Sequence, residues 1–342
     1  MKKEKKLLKS FDLGTAVLAV LVGFCVQIVF QYILSLFSLP AKTYTWIVVI
    51  MNQLIFFGVA LIFCFCPKKK VSPLAITGAK EPPKWYYFPI FILIAIACVT
   101  CFGPISGLFR RMLSKLGYDY TPQYFIPRDN AGLFTLAFFA LTILPVLGEE
   151  FMLRGVLMSG TKKHSAVFAI LYTALIFALI HGNLNQLIHQ FLLGAIMGYV
   201  AYLTGGIYAS AVIHITNNAM AMLLDYGFAN NFVNHSFYYY VAGELGVAET
   251  LIGIMVSFFA LAMFLVLFTA LLHRDRARVK DYNPTFSTYL LYLATPTAER
   301  EKEASEEREG KKMNGYSLML VIFLAVMLAA IVLLTLIPGA KG

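Results

Sequence analysis

Residues 165–224 read "SAVFAILYTALIFALIHGNLNQLIHQFLLGAIMGYVAYLTGGIYASAVIHITNNAMAMLL" and contain no Asp, Glu, Lys or Arg. A membrane-crossing helix needs ~20 mainly apolar residues at a rise of about 1.5 Å each. The stretch therefore holds three spans, cut by the polar turns "HGNLNQ" (181–186) and "TGG" (204–206). Apolar and polar residues do not alternate along it, and backbone groups in lipid must be satisfied within their own segment. It reads as helices rather than barrel strands.

Working outward, nine apolar stretches emerge: 13–37, 45–66, 87–109, 131–161, 165–182, 187–204, 207–225, 249–272 and 316–338. Only 13% of the chain is charged, against about 25% in soluble domains. The expected fold is all-α: a polytopic membrane protein with eight or nine transmembrane helices and a catalytic core of four. The expected divisions are 1–129 (three N-terminal spans and their loops), 130–225 (the core), 226–272 (an outer loop and the eighth span), 273–315 (a charged cytoplasmic segment) and 316–342 (a C-terminal span, read as an appended anchor). The part "EREKEASEEREGKK" (299–312) reads as a solvated helix or a disordered linker.

The net charge of +10 is explained by its distribution. With the N-terminus inside, 22 of the 28 Lys and Arg fall in inner segments. That is the positive-inside asymmetry, and it calls for no nucleic-acid partner. The exceptions include Arg110 and Arg111. The first apolar run is too long for a signal peptide and reads as a retained span. Cys98 and Cys101, though spaced C-x-x-C, read as small packing residues. The amides Gln27, Gln31, Asn52 and Gln53 read as hydrogen-bonding glue between helices.

Two acidic residues, Glu149 and Glu150 of "GEEFMLR" (148–154), lie inside a span. An ionisable residue at that depth is costly and points to function. Glu150 and Arg154, four apart, can form a neutralising pair on one helix face. Glu149 lies about 100° round the helix. Left over after that pairing, it is available as a general base. His181 ends "FALIH" (177–181). With the turn between these two helices centred near Ser165, Glu149 and His181 stand at equal depth, ~20 Å from it. His214 and Asn218 of "HITNN" (214–218) share a helix face. They are either donors to a developing oxyanion or plain interhelical hydrogen-bonders. His189 reads first as structural. Together, a carboxylate, two histidines and an amide on three helices form a water-activating set.

At these residues the chain resembles the CPBP family, the CAAX-protease and bacteriocin-processing (Abi) membrane proteins. Its marks E-E-x-x-x-R, F-x-x-x-H and H-x-x-x-N stand here at 149–154, 177–181 and 214–218. The resemblance spans roughly 130–225 and implies intramembrane hydrolysis of peptide bonds. It implies that Glu149 activates water with help from His181, that His214 and Asn218 stabilise the oxyanion, and that Glu150 and Arg154 support the site. A metal-free mechanism is preferred, with no cofactor. The alternative is zinc held by Glu149, His181 and His214, three ligands being usual at a catalytic site. The expected partners are the lipid bilayer and a membrane-embedded peptide or protein substrate. The expected setting is a bacterial plasma membrane with a cytoplasmic N-terminus, and a cavity opening toward the inner face beside the basic turn. The competing reading is a non-catalytic immunity or regulatory scaffold that binds a peptide toxin or a membrane partner. A proton-coupled transporter is a weaker third, since no matching pair of broken helices is found.

Overall fold

The computed structural model describes residues 12–65, 72–78, 82–118, 127, 129–162, 164–277 and 315–334. The basic N-terminal residues and the acidic-basic stretch 299–312 lie outside these. Among the described residues there is no strand. The helices are α1 (Leu13–Ser35), α2 (Ala41–Phe65), α3 (Pro73–Ile76), α4 (Tyr87–Lys115), α5 (Ala131–Thr142), a π-helical segment π1 (Val146–Leu157), α6 (Met158–Thr161), α7 (Ala166–Ile180), α8 (Leu184–Thr204), α9 (Tyr208–Ala229), α10 (His235–Ala242), α11 (Val247–Ala277) and α12 (Gly315–Leu334).

Over its described residues each of the nine apolar stretches is largely helical, and the protein is an all-α polytopic membrane protein. Among the described residues, six helical stretches are long and apolar enough to cross a membrane, and Ala166–Ile180 and Ser317–Ala330 are shorter apolar helices. Helix α9 is absent from both groups because it carries His214, Asn217, Asn218 and Asp225. Large apolar side chains such as Val29, Ile62, Leu136, Val256 and Phe259 are exposed. In a membrane protein these meet lipid rather than water.

Helix starts follow ordinary capping chemistry. Asp12, Asn130, Ser165 and Asn234 each accept a backbone N–H three residues on, satisfying donors that a helix start leaves orphaned. Ser165 thus opens α7, where the turn was expected. Two prolines shape the bundle in the same way. A proline has no N–H for the carbonyl four residues earlier. Pro104 in α4 so frees the carbonyl of Thr100, and Tyr240 of α10 donates its hydroxyl there at 2.7 Å. Pro145 frees the carbonyl of Leu141, and Asn218 of α9 donates its amide there at 3.1 Å. Buried carbonyls are rarely left unpaired. Here each repair also ties a second helix to the break.

The span expected as one helix over 131–161 is therefore three pieces: α5, π1 and α6. Gly148 permits its contact with α2. A Cβ there would lie 2.5 Å from Gln53 Oε1 and 2.7 Å from the Gln53 carbonyl oxygen. Helix α12 is also more than an appended anchor. Its Leu324 and Leu328 are fully buried, and Tyr172 of α7 donates to the carbonyl of Val321 at 3.1 Å.

Candidate active site

The site is built from π1, α7 and α9. In π1 the carboxylate of Glu150 and the guanidinium of Arg154 are fully buried and meet at 2.8 Å. Arg154 Nη2 also donates to the Gly194 carbonyl of α8 at 3.3 Å. Its guanidinium lies over the Phe177 ring, 4.7 Å from the centroid. The same ring stands edge-on to His181 at 4.9 Å and to His214 at 5.5 Å. Phe177 is thus an apolar spacer that holds the ion pair and both imidazoles in place. Gly194 makes room for it, since a Cβ there would lie 3.0 Å from the Phe177 ring.

Glu150 does more than neutralise Arg154. Its Oε1 also lies 2.9 Å from His214 Nδ1. A carboxylate only accepts, so Nδ1 carries the proton and Nε2 is left to face the cavity side. That Nε2 is 3.8 Å from Glu149 Oε2, too far for a direct hydrogen bond. Glu149 Oε2 has no hydrogen-bond partner among the described residues. Its other oxygen accepts from Gln53 Nε2 of α2 at 2.9 Å. Glu149 is thus held on one oxygen and unpartnered on the other. His181 Nδ1 donates to the Phe177 carbonyl at 2.7 Å, one turn back. That bond fixes the ring and leaves Nε2 as the nitrogen able to exchange a proton.

Glu149, His181, His214 and Asn218 line one cavity of about 610 Å³, together with Gln53, His189 and Asn217. Asn218 is half committed: one amide hydrogen serves the Leu141 carbonyl, and its oxygen accepts from Asn217 Nδ2 at 3.2 Å. Asn217 Oδ1 in turn accepts from His189 Nε2 at 3.2 Å. Sequence alone reads Gln53 as glue between helices and does not single out Asn217. Two adjacent amides in an apolar helix (Asn52-Gln53) and two in "HITNN" were the available signals.

The cavity does not lie toward the basic turn. It is lined by α4 between Val99 and Arg110, α9 between His214 and Asp225, α2 between Val49 and Phe56, the first half of α8, and α10. That is the end of the bundle opposite Lys162. The basic turn had set the contrary expectation. The equal depth of Glu149 and His181 does not fix which way the cavity runs from them, and its further lining, Asn185, Arg110, Asp225 and Ala242, lies at the far end. As for zinc, no group of three or more His, Cys, Asp or Glu among the described residues could hold a metal ion. No step is routed through a metal.

The fold defines a polytopic helical membrane protein with a buried polar cavity. Within it, residues 131–220 match the family model for the Type II CAAX prenyl endopeptidase Rce1-like proteins, consistent with a CPBP-type intramembrane protease. The match covers about a quarter of the chain and contains Glu149, Glu150, Arg154, His181, His214 and Asn218. No curated protein and no solved structure matches the chain.

Proposed function

We propose that the protein is an intramembrane endopeptidase that hydrolyses peptide bonds of membrane-associated chains with water activated by Glu149. One observation carries the reading: the unpartnered oxygen of Glu149 lies 3.8 Å from His214 Nε2, and both residues line one cavity. A water within hydrogen-bond reach of both atoms can give its proton to Glu149 as its oxygen attacks the scissile carbonyl carbon. Negative charge then develops on the carbonyl oxygen. His214, with Nδ1 held by Glu150, stabilises that charge from Nε2 when the ring is fully protonated. Collapse breaks the C–N bond, the amine nitrogen takes the proton, and a carboxylate and an amine leave. His181 is the second group able to pass that proton. Asn218 acts chiefly by holding the Leu141 break, and so the start of π1, in place.

Gln53 is a positioning residue here. Replacing it with leucine removes the donor that fixes Glu149. Loss of a hydrogen bond to a charged group costs about 1.5–3 kcal/mol, so turnover is expected to fall at least about tenfold with little change in KM. Steady-state kinetics of Gln53→Leu check this, with Gln53→Asn as a shorter donor expected to recover part of the rate.

The scaffold reading is separated by the double variant His181→Ala with His214→Ala. Under the proposed reading the folded variant loses its cellular effect together with cleavage. A folded variant that keeps the effect would favour the scaffold.

A further inference from the structure

We infer that the cavity faces away from the cytoplasm and receives an extended peptide segment from the non-cytoplasmic side of the membrane. The inference rests on the protease reading for its substrate, but its side of the membrane is argued independently.

Contacts within the bundle define two ends. At one end a Cβ on Gly160 would lie 3.0 Å from the Asp12 carbonyl, Ile207 N–H donates to the Thr77 carbonyl at 2.9 Å, and Lys84 Nζ meets Asp275 at 3.2 Å. At the other end Arg110 Nη2 donates to the Ala242 carbonyl at 3.0 Å, and Ser106 Oγ donates to the Asn185 carbonyl at 3.1 Å. Arg110, Ser106, Asn185 and Ala242 all line the cavity, and no residue named at the first end does so.

The charges separate along the same axis. Segments joining helices at the first end carry, in sequence, Lys68, Lys69, Lys70, Lys80, Lys84, Lys162 and Lys163, and the end of α11 with the sequence after it carries nine more Lys and Arg between 273 and 315. Such an excess keeps loops on the cytoplasmic side. The cavity end then lies outside. A peptide tail that stays in the cytoplasm would have to cross the hydrocarbon layer to reach Glu149, whereas a translocated or outward-facing segment would not.

The lining fits a peptide main chain. Gln53, Asn185 and Gln190 line the cavity, and their side-chain oxygens Oε1, Oδ1 and Oε1 are buried acceptors with no hydrogen-bond partner among the described residues. A buried acceptor left unpaired is costly. The N–H groups of an extended peptide are donors of the kind that would satisfy these three.

Orientation is measured by adding a membrane-impermeant maleimide to intact cells carrying the full-length protein. The variants are Ala221→Cys in the cavity lining, Glu244→Cys beyond α10, and Lys162→Cys at the basic turn; all three positions are exposed. Ala221→Cys and Glu244→Cys are expected to label in intact cells well above the wild-type cysteine background, and Lys162→Cys only after permeabilisation. Labelling of Lys162→Cys in intact cells, or of Ala221→Cys only after permeabilisation, overturns the proposal. Labelling needs no catalysis, so the assignment of side and the protease reading fail separately. In sealed proteoliposomes, cleavage of a synthetic peptide library added outside should scale with the fraction of molecules whose Glu244→Cys is labelled from outside. Scaling with the opposite fraction contradicts the inference.

Discussion

Replacing Glu149 with glutamine is expected to reduce peptide cleavage by about 10²–10⁴-fold, the usual contribution of a positioned general base. The substitution changes little else. Glutamine has nearly the shape of glutamate, and its amide oxygen can still accept from Gln53 Nε2, which now sits 2.9 Å from Glu149 Oε1. What is lost is the ability to take a proton at the second oxygen, which has no hydrogen-bond partner among the described residues. Turnover should therefore fall while substrate affinity and melting behaviour in detergent stay close to wild type. The matching change at Glu150 should behave differently. Glu150 holds both Arg154 and His214, so Glu150→Gln is expected to weaken the fold as well as the rate.

Removal of Arg154 should have the largest effect on stability. Arg154→Ala leaves the buried Glu150 carboxylate without its cation, and breaking a buried pair in this way costs about 3–5 kcal/mol. The change also strips the Gly194 carbonyl of a donor and the Phe177 ring of the guanidinium above it. Phe177 spaces both histidines, so loosening it should spread to the site. Reversible unfolding in mixed micelles would show the loss as a lower midpoint. The double variant Glu150→Leu with Arg154→Met should recover much of it, because replacing both charges by apolar groups avoids the uncompensated one. It should remain inactive, since His214 Nδ1 then has no carboxylate to hold its proton.

The helices were the most legible feature. Residues 165–224 hold no acidic or basic side chain, and that alone forces helical spans in lipid. The pairing of Glu150 with Arg154 was legible too, because four-residue spacing survives in π1 as a contact at 2.8 Å. The break at Pro145 was not. A proline signals a disturbed helix, but the repair by Asn218 depends on how α9 crosses α5, which local sequence does not encode. Gln53 escaped for a similar reason: it is 96 positions from Glu149, and an amide in an apolar helix has many possible partners. The end of the bundle that holds the cavity was not legible, because the basic turn near Ser165 is the nearest charged feature in sequence but not in the cavity lining. Equal depth of Glu149 and His181 did not fix which way they face.

The central claim is that Glu149 drives hydrolysis of a peptide bond by water. Purified wild-type protein and Glu149→Gln can be incubated in ¹⁸O-labelled water with a library of membrane-associated peptides and the products read by mass spectrometry. The account predicts wild-type products carrying ¹⁸O in each newly formed carboxylate, and a loss of products of at least about 10²-fold in the folded Glu149→Gln variant. Equal cleavage by the two proteins, or products without ¹⁸O, would contradict it.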